Sequence, residues 1–172
     1  MKSFFILIVA FGLSTPLFAS EDSMDAGDIE VNFTVNAPIS RTWKAWTFNV
    51  DLEQWLTVKA IVEPRIGGPY ELFWQPETPT QNSTLGCKVL GVVDQRLLAI
   101  EWRGPTEFSD IMNTSPFPTW VVVTLEETST NGTSIHFRHS GWGQGKHWQD
   151  ARRWQAQSWS GAFETLRAYL SK

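Results

Sequence analysis

The sequence contains one cysteine, Cys87, and three histidines among its 172 residues. A single cysteine excludes an internal disulfide and the paired-cysteine sites of thiol redox chemistry. Cys87 sits in an apolar, strand-like run with Val89, Gly91 and Val93, where a buried, inert thiol is expected. The histidines do not chelate either. His136 and His139 are three apart in a strand pattern and face opposite sides, and His139 meets His147 only through the turn Gly141-Trp142-Gly143. No metal and no cofactor are expected. His-Glu-x-x-His, Gly-x-Ser-x-Gly and phosphate-cradling glycine loops are all missing. Basic clusters are missing too. With 14 Lys and Arg against 18 Asp and Glu, the net charge of −4 argues against a nucleic-acid partner.

The longest apolar run, residues 4–13, is too short to span a bilayer. Lys2 before it, the break at Thr15-Pro16 and the small residue closing Leu17-Phe18-Ala19 are the three parts of a secretory signal peptide. The expected organisation is a signal over residues 1–20, an acidic, flexible lead-in over 21–28 and one domain over 29–172. The product is then exported, periplasmic or secreted, without stable membrane insertion once the signal is removed. Losing Lys2 makes it one unit more negative. Roughly 150 residues suffice for a single domain with a real core.

Tryptophan is abundant. All ten Trp lie beyond the signal, whereas Phe4, Phe5, Phe11 and Phe18 leave with it. Residues 29–35 alternate apolar and polar, as a half-buried strand does. Pro38 then opens a helical stretch with Trp43 and Trp46, and Leu52 and Trp55 mark a second short helix. From residue 58 the period becomes that of strands, with hairpin turns at Asp94-Gln95 and Asn131-Gly132. Residues 104–118 form a long polar connection that can serve as a lid. The chain closes on one long helix from about residue 146. At 100° per residue, Trp148, Arg152, Gln155, Ala162, Phe163, Leu166 and Leu170 share the side of Trp159. Its last turns are apolar and belong to a core. Its first turns mix Trp148 with Arg152 and Gln155, as a helix covering a cavity would. The alternative is that Arg152 and Gln155 lie at the edge of the stripe and snorkel to water.

Short-turn strands make an antiparallel sheet, and only the final helix is large enough to cover its apolar face. This order resembles the helix-grip fold of the START-like, pollen-allergen-like superfamily (SRPBCC): an α+β domain of about six to seven antiparallel strands wrapped around one long C-terminal helix, with two short helices after the first strand. Shorter motifs resemble the family named for the activator of the heat-shock-protein-90 ATPase. They are Ala37-Pro38, Trp43-Lys44-Ala45-Trp46-Thr47, Leu52-Glu53-Gln54-Trp55, Pro64-Arg65-Ile66-Gly67-Gly68-Pro69-Tyr70, Gly86 with Val89, the run 98–102, Gly132-Thr133-Ser134-Ile135 and His139-Ser140-Gly141-Trp142. Leu56 departs from that pattern, where an aromatic is usual, and so does the signal peptide.

The resemblance implies a cavity between sheet and helix, and Trp-rich walls with a few polar groups suit a hydrophobic small molecule. The residues expected to line it are Trp74, Trp102, His139, Trp148, Arg152 and Gln155, with Arg152 serving an acidic or carbonyl group of the ligand. His139 shares a strand face with Ile135 and Phe137. It either orients a ligand or packs with its nitrogens bonded nearby. Trp43, Trp46 and Trp55 are expected in the core, and Trp154 partly exposed. Two further readings stay open: an enzyme of cyclase or hydrolase type, with Glu71 and Glu101 as the available carboxylates, and a protein-interaction domain. A weak homodimer is compatible with the sequence.

Overall fold

A computed structural model describes residues 27–114 and 119–172. The expected signal peptide, most of the lead-in and the end of the long connection lie outside them. The alternating run near the N-terminus forms β1 (Ile29–Val35). Two helices follow, α1 (Ile39–Thr47) and α2 (Asn49–Trp55), then β2 (Lys59–Val62), β3 (Tyr70–Phe73), β4 (Val89–Val93) and β5 (Leu97–Trp102). The connection after β5 holds one 3-10 turn (Thr106–Phe108) and a short helix, α3 (Ser109–Met112). The chain ends with β6 (Thr119–Glu127), β7 (Thr133–Ser140) and α4 (Lys146–Leu170). This is the helix-grip architecture.

The strands divide into two sheets. Five run antiparallel in the order β1-β7-β6-β5-β4, while β2 and β3 form a separate pair. Two isolated bridges, Pro69↔Lys88 and Phe73↔Ser83, tie the small pair to the segment leading into β4. Backbone hydrogen bonds from Tyr70 to Cys87, Thr84 to Leu72 and Val89 to Gly68 strengthen that link, so the pair joins the main sheet beside β4. Its free edge is protected: the side chains of Asn49 and Glu53 on α2 accept the backbone N–H groups of Val62 and Ala60. An unprotected edge strand invites pairing with another chain. Gly68 permits the tight turn before β3, because a side chain there would meet the Glu63 carbonyl at 2.4 Å.

Registers across the main sheet align the inward residues in rows. One row runs Val31, Phe137, Val123, Leu98 and Val92, and the next runs Ile29, His139, Val121, Ile100 and Val89. A histidine thus occupies the middle of an otherwise apolar row. The long helix lies over these rows and buries Ala151, Gln155, Trp159, Phe163, Leu166 and Leu170. Trp159 is the hub, with ring centroids 4.5 Å from Phe137, 4.7 Å from Trp102 and 5.6 Å from Phe163. Trp43, Trp46 and Trp55 are buried as expected.

The N-terminal half of α4 departs from the projected stripe. There the buried positions are Ala151 and Gln155, whereas Trp148 and Arg152 are only half-buried. Measured from Trp159, the buried side of the helix moves from about +40° at Phe163 to about −80° at Ala151. A helix crossing a twisted sheet presents a rotating face to it. A single projection over 25 residues misses that rotation.

Candidate functional site

Between α4, the end of β5 and the β2–β3 pair lies a cavity of about 490 Å³. Five tryptophans from four parts of the chain wall it: Trp55 at the end of α2, Trp74 just past β3, Trp102 at the end of β5, and Trp154 and Trp159 on α4. Three of these rings are fixed by their own N–H groups. Trp55 donates to the Ala45 carbonyl and Trp74 to the Leu56 carbonyl, each at 2.7 Å, and Trp159 donates to His139 Nδ1 at 3.1 Å. Trp74 and Trp102 meet edge-on, 6.1 Å apart. A wall so braced is formed before any ligand arrives, which lowers the ordering cost of binding.

The polar side chains of the lining are few. Gln75, Asn82, Arg103 and, on the helix, Ser158 are its more exposed polar members, while Ser83 and Gln155 are buried. Gln155 is 4 % exposed, yet its amide has no hydrogen-bond partner among the described residues, and none of its polar atoms is sealed off. The open space it meets is the cavity. The Trp102 indole N–H likewise has no acceptor among the described residues and is not sealed. Buried polar groups are nearly always paired. Two groups left open on one cavity wall are therefore a ready match for a ligand oxygen.

Three of the six expected residues, Trp74, Trp102 and Gln155, converge on this cavity; His139, Trp148 and Arg152 do not. His139 is fully buried behind the wall, with both nitrogens committed. Nδ1 accepts from Trp159, so the proton sits on Nε2, which donates to Thr119 Oγ1 at 2.9 Å; that hydroxyl donates to the Trp102 carbonyl at 3.0 Å. The imidazole braces two cavity tryptophans and faces no ligand. Burial holds its pKa down at about 3, so it is neutral.

Trp148 packs against Gly143, where any side chain would strike its indole, and meets Trp142 edge-on at 6.4 Å. Gly141, with φ of +88°, similarly accommodates the Trp120 ring. The Gly-Trp-Gly turn thus fastens the sheet's end to the start of α4. Arg152 points to the other side of the helix, where its guanidinium donates to the Gly27 carbonyl and, at 2.9 Å, to the Asp28 carbonyl. It ties the entry of β1 to α4 instead of serving a ligand.

Trp55, Trp154, Trp159 and Arg103 joined the site without being expected there, Trp159 having been expected only at the centre of the core stripe. Trp55 is buried as core and exposes one side to the cavity. Trp154 is indeed off the buried stripe, 38 % exposed, but it lines the same cavity as Trp74. Arg103 follows the last strand residue, where the chain turns and alternation no longer says which way a side chain points.

Other titratable groups lie outside the cavity. Glu71 and Glu101 accept the backbone N–H groups of Gly86 and Lys88. His136 bonds Asn32 on the outer sheet face, and His147 bonds Asp110 at 3.2 Å, latching α3 to α4. Burial pushes the Cys87 thiol up to about 12. Among the described residues, no three His, Cys, Asp or Glu are grouped to hold a metal, and no helix is long and apolar enough to cross a membrane.

A five-stranded antiparallel sheet gripping a long C-terminal helix, with a cavity between them, defines a domain of the SRPBCC class. Residues 36–171 match the family described as Activator of Hsp90 ATPase homolog 1-like protein, and the chain belongs to that family. Its fold is similar to that of MLL2253 from Mesorhizobium loti, at 23 % identity over 84 % of this chain and 97 % of that one, with a TM-score of 0.68. It is also similar to the Aha1 dimer from Colwellia psychrerythraea, at 17 % identity over 84 % and 96 % of the two chains, TM-score 0.63. A third similar structure is BH1534 from Bacillus halodurans, at 23 % identity over 84 % and 96 %, TM-score 0.61. No curated protein matches the sequence.

Proposed function

We propose that this is an exported binding domain for a hydrophobic small molecule, held among Trp55, Trp74, Trp102, Trp154 and Trp159. The observation that carries the reading is the open Gln155 amide on the inner wall of a braced tryptophan cavity. An apolar pocket with one or two convergent polar groups is the usual form of a small-molecule site. Its volume suits a ligand of two or three fused rings. Export rests on the composition of residues 1–20. Binding fits better than acid–base catalysis because the lining contains no Asp, Glu, His, Lys or Cys to carry a proton. Self-association is a second proposal, supported by the description of the Colwellia relative as a dimer.

The test plugs the cavity. Ala162 lines it from α4, one turn beyond Ser158. Ala162→Trp should abolish enhancement of N-phenyl-1-naphthylamine fluorescence while leaving the unfolding midpoint within a few degrees of wild type. Equal binding by both proteins would place the ligand elsewhere.

A further inference from the structure

The cavity reading leaves one cation unexplained. Arg103 is partly buried and lines both the tryptophan cavity and a smaller depression beneath α3. Among the described residues it has no side-chain hydrogen bond and no carboxylate within ion-pair distance. Arg41, Arg65, Arg138 and Arg153 are all paired with acids, Arg152 is bonded to carbonyls, and Arg167 lies over the Phe33 ring. Arg96, the other unpaired arginine, is exposed at the β4–β5 turn.

The acids near Arg103 stop short of ion-pair distance and each bonds another group. Glu71 and Glu101 are held by backbone N–H groups, and Asp110, across the smaller depression, is held by His147. At the mouth, Asn82 uses its amide N–H on Gln75 and its carbonyl on the backbone of Thr106. The guanidinium lies over Gly86, where an added Cβ would stand 3.6 Å from it, and that residue's φ of +83° keeps the position suited to glycine. A half-buried guanidinium at the edge of an apolar cavity, with no direct ion pair of its own, has its N–H groups available to an anion from outside. The planar guanidinium fork matches a carboxylate or sulfonate.

We propose that Arg103 is the anion-binding residue of the cavity, which makes the ligand an apolar, monoanionic acid with its rings among the tryptophans and its charge at the mouth beside Gly104 and Pro105. One cation among the described lining residues, set against five tryptophans, suits one negative charge better than a phosphate dianion. The inference rests on the cavity being a ligand site, and it moves the acid-binding role expected of Arg152, which lies on the other side of α4, to Arg103.

Two fluorescent probes separate this inference from the reading beneath it. 1-Anilinonaphthalene-8-sulfonate and N-phenyl-1-naphthylamine share a ring system, and only the first carries a charge. Wild type should bind both in competition and prefer the sulfonate. Arg103→Gln should weaken the sulfonate about 10- to 100-fold, the range of a charge-assisted hydrogen bond, and the neutral probe less than about twofold. Arg103→Lys should retain part of the preference, and Asp110→Asn should leave it intact. If the neutral probe does not bind wild type, the cavity reading itself falls. If it binds and Arg103→Gln affects both probes equally, or neither, the assignment of Arg103 is overturned.

Discussion

His139 shows how one residue's chemistry is decided by its row in the sheet. Ile29, Val121 and their neighbours remove it from water, and Trp159 and Thr119 then saturate its ring. A neutral imidazole is thereby built into the fold. Its pKa falls from 6.5 to about 3 on folding, so between those values the unfolded chain binds a proton that the folded protein refuses. Stability contributed by the neutral ring is complete above pH 6.5 and declines as pH falls toward 3, by up to about 1.4 kcal/mol per pH unit. His139→Gln keeps a donor and an acceptor but does not titrate. The difference in urea stability between wild type and His139→Gln should shrink on acidification from pH 7 to 4. A constant difference would show that the histidine is not held neutral. The relevant face of His139 was legible in its alternation with Ile135 and Phe137. Its partners were not, because Thr119 and Trp159 are distant in sequence and only the sheet register and the helix position bring them together.

At the scale of elements, α4 does two jobs with one stripe. Phe163, Leu166 and Leu170 close the core, while Gln155 and Trp159 turn toward the cavity. That division was readable from composition, and so was the placement of Gln155. Arg152 and Trp148 were misplaced because helical periodicity gives angles about one helix axis, whereas the sheet below it twists. Arg152→Ala should therefore release the start of β1 without touching the site. Amide exchange at Asp28 and Ile29 should quicken, stability should fall by about 0.5–1.5 kcal/mol for the lost hydrogen bonds, and N-phenyl-1-naphthylamine affinity should stay within about twofold of wild type. Loss of probe binding with unchanged exchange would return Arg152 to the cavity.

For the whole molecule, the strands, the two early helices and the long final helix followed from periodicity and turn chemistry, because each element's local preference agrees with its place in the fold. The helix-grip architecture was read from the resemblance of that order to a known family, and the short α3 in the connection after β5 was not foreseen. The split into two sheets did not follow. It depends on β3 pairing with residues 83–88 instead of with a full strand, and Trp74, just past β3, then lines the cavity together with Trp154. The central claim is that this cavity receives a ligand, and the ten indoles provide its most direct measurement. In a heteronuclear NMR titration with N-phenyl-1-naphthylamine, the indole N–H signals of Trp55, Trp74, Trp102, Trp154 and Trp159 should shift and saturate together. Those of Trp43, Trp120, Trp142 and Trp148 should stay in place. Shifts concentrated on that second group, or no saturating shift at Trp102 and Trp159, would contradict the account.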